Sequence, residues 1–440
     1  MSVSAPLSVT AVGSFTRELF EAHLRRVQHL PAWWLERKRA AYERFAALPM
    51  PKRTDEGWRF SNLSGLSLDG LVLPEPPSAI ETALDNDVVI AAGTLMLANH
   101  RLVRHLPLAG ETAKPGVIFE TLQNALLQHG DLVRAHLLTQ PSKLGSDKFA
   151  ALHEAFLEDG AFIYVPKGVE VDQPVAVFHH AIDAGTALFP HTLVIAEENA
   201  RVTVADIFRS SGTAGPKFAC GGNDLYAGHG AQVTYIAMQD WSHDTLSFQF
   251  NAIVARRDAR VLSINLHAGA RQARHESFSQ LQAPGAHSEM LALTIARDAQ
   301  EFDQRTLQIH QAPNTSSNLL YKNALLDQAR TIFSGLIVVD PDAQKTDAYQ
   351  SNRNLMLSDD AEANSLPGLE IQANDVRCTH GATSARIPAE QEFYLQSRGI
   401  KKAQADELLV LGFFEEVLGK IAHQPLHDRL TEIVREKFKQ

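Results

Sequence analysis

Cysteine is nearly missing from this 440-residue chain: Cys220 and Cys378 are its two. Two thiols cannot build a disulfide framework at this length, so both are expected free. Long apolar runs are missing as well, and no segment is read as a membrane-spanning helix. The N-terminal stretch MSVSAPLSVTAVGSFTRELF lacks the basic flank and hydrophobic centre of a secretory signal, which points to the cytoplasm. Positive charge is in deficit, with 41 Lys and Arg against 51 Asp and Glu and a net charge of −10. That is the wrong sign for a chain whose main partner is a phosphate backbone. The Gly-x-x-x-x-Gly-Lys-Ser/Thr loop, His-Glu-x-x-His, Cys-x-x-Cys and Gly-x-Ser-x-Gly are all absent, so nucleotide hydrolysis by the chain itself is not expected.

What is present falls into three parts. In FTRELFEAHLRRVQHL, residues Phe15, Leu19, Phe20, Leu24, Val27 and Leu30 recur at helical spacing, and PAWWLERKRAAYERFAAL repeats the pattern behind Pro31. PMPKRTDEGWRFSNL then breaks it and reads as a linker or docking loop. In the middle, ENARVTVADI, HGAQVTYIAM, RDARVLSINL and PGAHSEMLAL align on Ala200, Ala231, Ala259 and Ala286, which are 31, 28 and 27 residues apart. DQARTIFSGLIVV and DDAEANSLPGLEI match more loosely. A strand-and-turn unit recurring near 30 residues is the mark of a solenoid, and strands without helices between them make it a parallel β-helix. Sandwich strands recur every 8–12 residues or so, too often for this spacing. From Pro388 helical patterning returns, ending on Leu426, Leu430, Ile433, Val434 and Phe438. The expected fold is therefore mainly β, a parallel β-helix core at 151–385 between an N-terminal helical domain and linker at 1–150 and a C-terminal helical domain at 386–440. The helices are expected to cap the open ends of the solenoid.

Candidate chemistry is sparse. Cys378 and His380 lie two apart in an extended run and would project from one face of a strand. Thiolate and imidazole suit iron or zinc, but two ligands close no site, and iron–sulfur clusters commonly take four. Alternatively, Cys378 is a small buried hydrophobe and His380 an ordinary histidine. Cys220 reads as structural. Gln350, Asn352 and Asn354 alternate, which fits an inward amide ladder between coils better than a polar groove. Asp359, Asp360 and Glu362 read as a solvated turn. His179 and His180 point to opposite faces, and His153, His267, His275 and His310 stand as isolated residues.

One stretch adds more. SGLIVVDPDAQKTDAYQSNRNLMLSDDAEANSLPGLEIQANDVRCTHGATSARIPAEQEFYLQSRGI, with APNTSSNLLYKNALLDQARTIFSG before it and ELLVLGFFEEVL after it, closely resembles the SufB/SufD family of iron–sulfur cluster assembly proteins. DEGWRFSNL resembles the family's N-terminal Glu-Trp-aromatic segment, with Gly57 interposed, and the lack of cysteine before Cys220 suits its cysteine-poor branch. The resemblance implies a right-handed β-helix and a non-catalytic scaffold subunit of the SUF system. Its expected partners are SufB, met through the β-helix, and SufC, an ABC-type ATPase docked on residues 388–440. A homodimer is the alternative where SufB is absent, and the sequence does not decide it. The family's Cys-Ser-His-Gly-Ala-Thr maps onto Cys378 and His380, with Thr379 for serine. His380, and with it Cys378, would then ligate a transient iron–sulfur cluster shared with SufB, and ATP would enter only through SufC. Two rival readings are a structural placeholder with all chemistry in SufB, and a β-helix carbohydrate-active enzyme. The second needs grouped acids in a groove, which the chain does not display.

Overall fold

The computed structural model describes residues 12–75, 91–211 and 214–438. The segment read for a secretory signal lies, up to residue 11, outside them. Two ten-stranded sheets face one another, and the chain alternates between them. Arg260–His267, His287–Ala296, Ser316–Leu325, Asp347–Met356 and Arg377–Arg386 run parallel in sheet I. Gln272–Leu281, Glu301–His310, Arg330–Val339 and Glu362–Ile371 do the same in sheet II. Each coil is thus two long strands and two corners.

The repeated alanines form one corner. Ala200, Ala231, Ala259 and Ala286 are fully buried. Their carbonyls accept from the backbone N–H groups of Gln232, Arg260, His287 and Ser316, one coil onward, at 2.8–3.0 Å. The residue ahead of each, Asn199, Gly230, Asp258 or Gly285, has φ of 56°, 67°, 55° or 77°. Asn, Asp and Gly are the types that tolerate this left-handed bend, and a side chain no larger than alanine fits the crowded position after it. Ala329 and Ala361, matched loosely to the same series, instead head strands of sheet II. The sequence repeat had merged two different corners.

Between the sheets, inward side chains form columns. Early coils fill the space with Val202, Val204, Val233, Tyr235 and Val261. Amides join them, in earlier coils where Asn223 donates to Asn251 and Asn251 to Ser277 at 2.9 Å, and in later ones where Asn323 donates to Asn354 at 2.8 Å, Asn354 to Asn352 at 3.0 Å, and Ser365 to Asn352 at 2.6 Å. This is the expected ladder, and Gln350, Asn352 and Asn354 are all buried in it.

Helices α1 (Arg17–Arg26), α2 (Ala32–Ala47), α3 (Leu122–Gln128), α4 (Gly130–His136) and α5 (Asp147–Phe156) precede the long coils. Phe149 of α5 stacks on Phe248 at 3.9 Å, on the outer face of sheet II. The docking loop joins this face: Trp58 Nε1 donates to Gly145 O at 2.8 Å, and Arg274 lies 4.0 Å over its ring. The stretch before residue 151 was expected to be helical with a linker, yet it also holds strands Gly93–Ala98, Arg101–Leu106 and Ile118–Thr121. The first two form a hairpin through Asn99 and His100, whose φ values of 48° and 65° are both positive. Without a glycine the turn carries no Asn-Gly signal, which is why the pattern hid it.

Helices α6 (Ala389–Ser397), α7 (Lys402–Leu418) and α8 (Gln424–Glu436) follow the last coil. They do not cap it. Val410, Phe414, Leu426 and Leu430 pack sideways on Ile236, Ile264, Leu291 and Leu320, the outer face of sheet I. That face is as apolar as a core, and covering it removes far more hydrocarbon from water than covering one coil's end. The final strands, Glu362–Ile371 and Arg377–Arg386, are therefore left as bare edges.

Candidate functional site at the bare end of the solenoid

Cys378 and His380 both lie on the last strand of sheet I, in register with Ala348 and Gln350. Gln350 is fully buried, and its Nε2 donates to Gly335 O of the facing sheet at 3.3 Å. In-register neighbours in a parallel sheet share a face. His380 therefore ends an inward column of Val204, Tyr235, Ser263, Met290, Leu319 and Gln350. Cys378 ends the neighbouring column through Ala348. They occupy interior positions on a coil that no further coil covers.

The two side chains differ in surroundings. His380 is exposed, whereas Cys378 is half-buried against Ile337, Val339, Ala348 and Ala373. Burial pushes the Cys378 thiol above its ordinary value, more than the backbone hydrogen bond to Ala348 lowers it, and Asp347 adds to the rise. At neutral pH it is a thiol unless a metal or cation draws its proton off. Among the described residues no cluster of three or more His, Cys, Asp or Glu is placed to hold a metal ion. The strand thus offers at most two donors and half a site. Exposed Tyr349, Leu366 and Ile371 surround this end at 39%, 39% and 41% exposure, an apolar rim beside unpaired strand backbone. Asp359 and Asp360 are exposed as expected, with Asp359 paired to Arg386.

Cys220 is fully buried, donates to Phe149 O at 3.3 Å, and has its thiol held well above the ordinary range by burial. Of the histidines read as isolated, the ring of His310 bonds only to the hydroxyls of Thr315 and Ser317, but His153, His267 and His275 each meet another histidine. His153 Nε2 meets His191 Nδ1 at 3.2 Å, and the His267 and His275 rings stack at 3.7 Å. His179 faces Asp206 at 3.3 Å while His180 stacks on Phe178. His153 and His191, and His179 and Asp206, lie 38 and 27 residues apart and meet only through the coiling, so no local spacing announces them.

Fold and site together define a class: a parallel β-solenoid flanked by helices, with Cys378 and His380 on the last strand of its uncovered end. Residues 179–413 match the SufBD core domain of the SUF iron–sulfur cluster assembly system, and residues 15–177 match the SufBD N-terminal region. Over 421 residues the chain is 31% identical to the iron–sulfur cluster assembly protein SufD of Bacillus subtilis, covering 93% of this chain and 95% of that one. It is 30% identical to a SufBD family protein of Synechocystis, over 91% of this chain and 90% of the other. Identity to SufB of Bacillus subtilis is 26%, over 91% of this chain and 88% of SufB. The chain belongs to the SufBD family of iron–sulfur cluster assembly proteins.

Proposed function

We propose that this chain plays the part of SufD: a non-catalytic cytoplasmic scaffold subunit that pairs with SufB through the bare end of its solenoid. There it presents His380, with Cys378 beside it, to a nascent iron–sulfur cluster that is cargo rather than a resident cofactor. The observation that carries this reading is His380 itself, an inward position left uncovered on a terminal coil. Edge strands with free backbone groups accept a further strand, and the apolar rim favours burial against one. The missing ligands would come from SufB, and where SufB is absent a second copy of this chain would cover the same end. ATP would act only through SufC, docked on residues 388–440. Support for that docking is the exposed apolar group on α6 and α7, where Phe393, Tyr394 and Leu408 are 74%, 57% and 49% exposed. Ligation requires neutral imidazole and thiolate, so cluster retention falls as pH falls.

The test is His380→Ala in the anaerobically purified complex with SufB and SufC, scored by iron and sulfide content. Assembly of the complex is expected to survive and cluster content to drop severalfold. Unchanged content removes the ligand role and leaves the structural-placeholder reading, to which the apolar packing of Cys378 already lends support for that residue.

A further inference from the structure

Beside the bare end, on the outer face of sheet II, runs an open groove of about 550 Å³. Its floor belongs to the last three coils. Arg305, Ser334 and Leu366 stand in register in one column, and Leu336 and Gly368 in the next. Its wall is the docking loop around Gly57 and Phe60, together with Lys143, Leu144 and Gly145. Arg274 ties the two parts of that wall together, donating to Gly57 O at 2.8 Å and to Leu144 O at 2.7 Å. Trp58 Nε1 adds a bond to Gly145 O at 2.8 Å. The groove is thus shaped before anything enters it, which lowers the cost of binding.

Its polar groups are donors. Arg305 is 6% exposed and is held by Asp303, which accepts from Nε at 2.6 Å and from Nη2 at 3.3 Å. The third nitrogen, Nη1, makes no hydrogen bond and is not closed off from solvent. Ser334, one coil on, has a hydroxyl with no partner among the described residues. Arg274, Arg305, Glu276 and Asp303 neutralise one another. That leaves Arg59 and Lys143 against Glu56, two cations to one carboxylate, on a chain of net charge −10. Neither cation has a carboxylate partner among the described residues, and Arg59 lies instead 5.5 Å over the Phe60 ring. Next to the donors the floor is apolar and has a gap. The column Phe278, Leu307, Leu336 ends at Gly368, where a Cβ would meet only Leu336 Cδ1 at 3.3 Å and Gly335 O at 3.6 Å. A notch therefore stands where the column's next side chain would be, bordered by exposed Leu366.

We propose that this groove binds an organic monocarboxylate, its oxygens on Arg305 Nη1 and Ser334 Oγ and its apolar body over Leu336, in the notch at Gly368. The two free donors suit the two oxygens of a carboxylate, and the single excess positive charge balances a monoanion. From Ser334 to Leu336 is a two-residue step along a strand, about 6.6 Å, a span that a fused two-ring body covers. The site uses neither Cys378 nor His380 and does not depend on pairing with SufB.

Calorimetric titration of the full chain with 2-naphthoate tests the assignment, with 2-naphthalenemethanol lacking the charge and acetate lacking the apolar body. Saturable one-to-one binding of 2-naphthoate is expected with a Kd of about 1 mM or tighter, and binding of each control weaker by about tenfold or more. Lys143→Gln, at an exposed loop position, is expected to weaken 2-naphthoate by about threefold. Gly368→Leu, which fills the notch and leaves every donor in place, is expected to weaken it by about tenfold. Circular dichroism checks that both variants are folded. Absence of saturable binding overturns the proposal, as does alcohol binding as tight as that of 2-naphthoate. Affinity unchanged in either folded variant overturns it too, because the ligand would then sit elsewhere.

Discussion

Arg274→Met is expected to loosen the whole junction between the docking loop and the solenoid. Arg274 is 3% exposed and donates from Nε to Glu276 at 2.8 Å and Ser146 at 2.9 Å, and from Nη2 to Leu144 O at 2.7 Å. Its Nη1 donates to Gly57 O at 2.8 Å and to Asp303, and the guanidinium covers Trp58. Methionine keeps much of the packing on Trp58 but strands two buried carboxylates, of which only Asp303 retains an arginine, Arg305. Removing one partner of a buried ionic group costs about 3–5 kcal/mol. The loss also carries a pH signature. Burial raises the Asp303 carboxyl, but Arg274 and Arg305 outweigh it, so the net value lies below the ordinary 3.8. In the parent protein that carboxylate contributes stability above the unfolded value and loses it only as pH falls through the depressed folded one. Without Arg274, only Arg305 and Ser61 oppose burial, and the folded value rises. The penalty is then fully present at neutral pH and fades as pH falls through the raised value. Urea unfolding near pH 7.5 and again near pH 5, followed by circular dichroism and tryptophan fluorescence, measures both effects. The difference between variant and parent is expected to be about 3–5 kcal/mol at the higher pH and smaller at the lower. A difference under about 1 kcal/mol, or one equal at both pH values, refutes the account.

Two other outcomes follow from the packing. Iodoacetamide is expected to label Cys378 slowly near neutral pH and faster as pH rises toward its elevated thiol value, while Cys220 stays unlabelled until the chain unfolds; mass spectrometry distinguishes them. Phe414→Ala, at a fully buried contact between α7 and sheet I, is expected to cost about 3–5 kcal/mol and to free the C-terminal helices for proteolysis while the solenoid's β signal persists; resistance equal to the parent counts against the sideways packing.

Much of the fold was legible because it is periodic. An alanine behind a left-handed Asn, Asp or Gly, recurring near 30 residues, is a local requirement of the corner and leaves a local mark. The alternation of Gln350, Asn352 and Asn354 likewise placed them on one inward face. The hairpin at Asn99 and His100 was not legible, because its turn holds no glycine and so carries no Asn-Gly or Asp-Gly signal. Nor was the seating of α7 and α8, since an apolar helix stripe states that it is buried without stating against what. Cys378 and His380 could be put on one face from spacing two, but their exposure could not be judged from any window of sequence.

By itself, then, the sequence determined the repeating coil, the inward amides, the free thiols and, through a long ordered match, membership of the SufBD family. All of these rest on short-range geometry or on residue identity. Tertiary structure alone decided which faces the helices cover, which histidines meet, and that the coil bearing His380 ends the stack uncovered. Those depend on the relative area of apolar surfaces many residues apart, and burial is a property of the assembled surface, not of any segment.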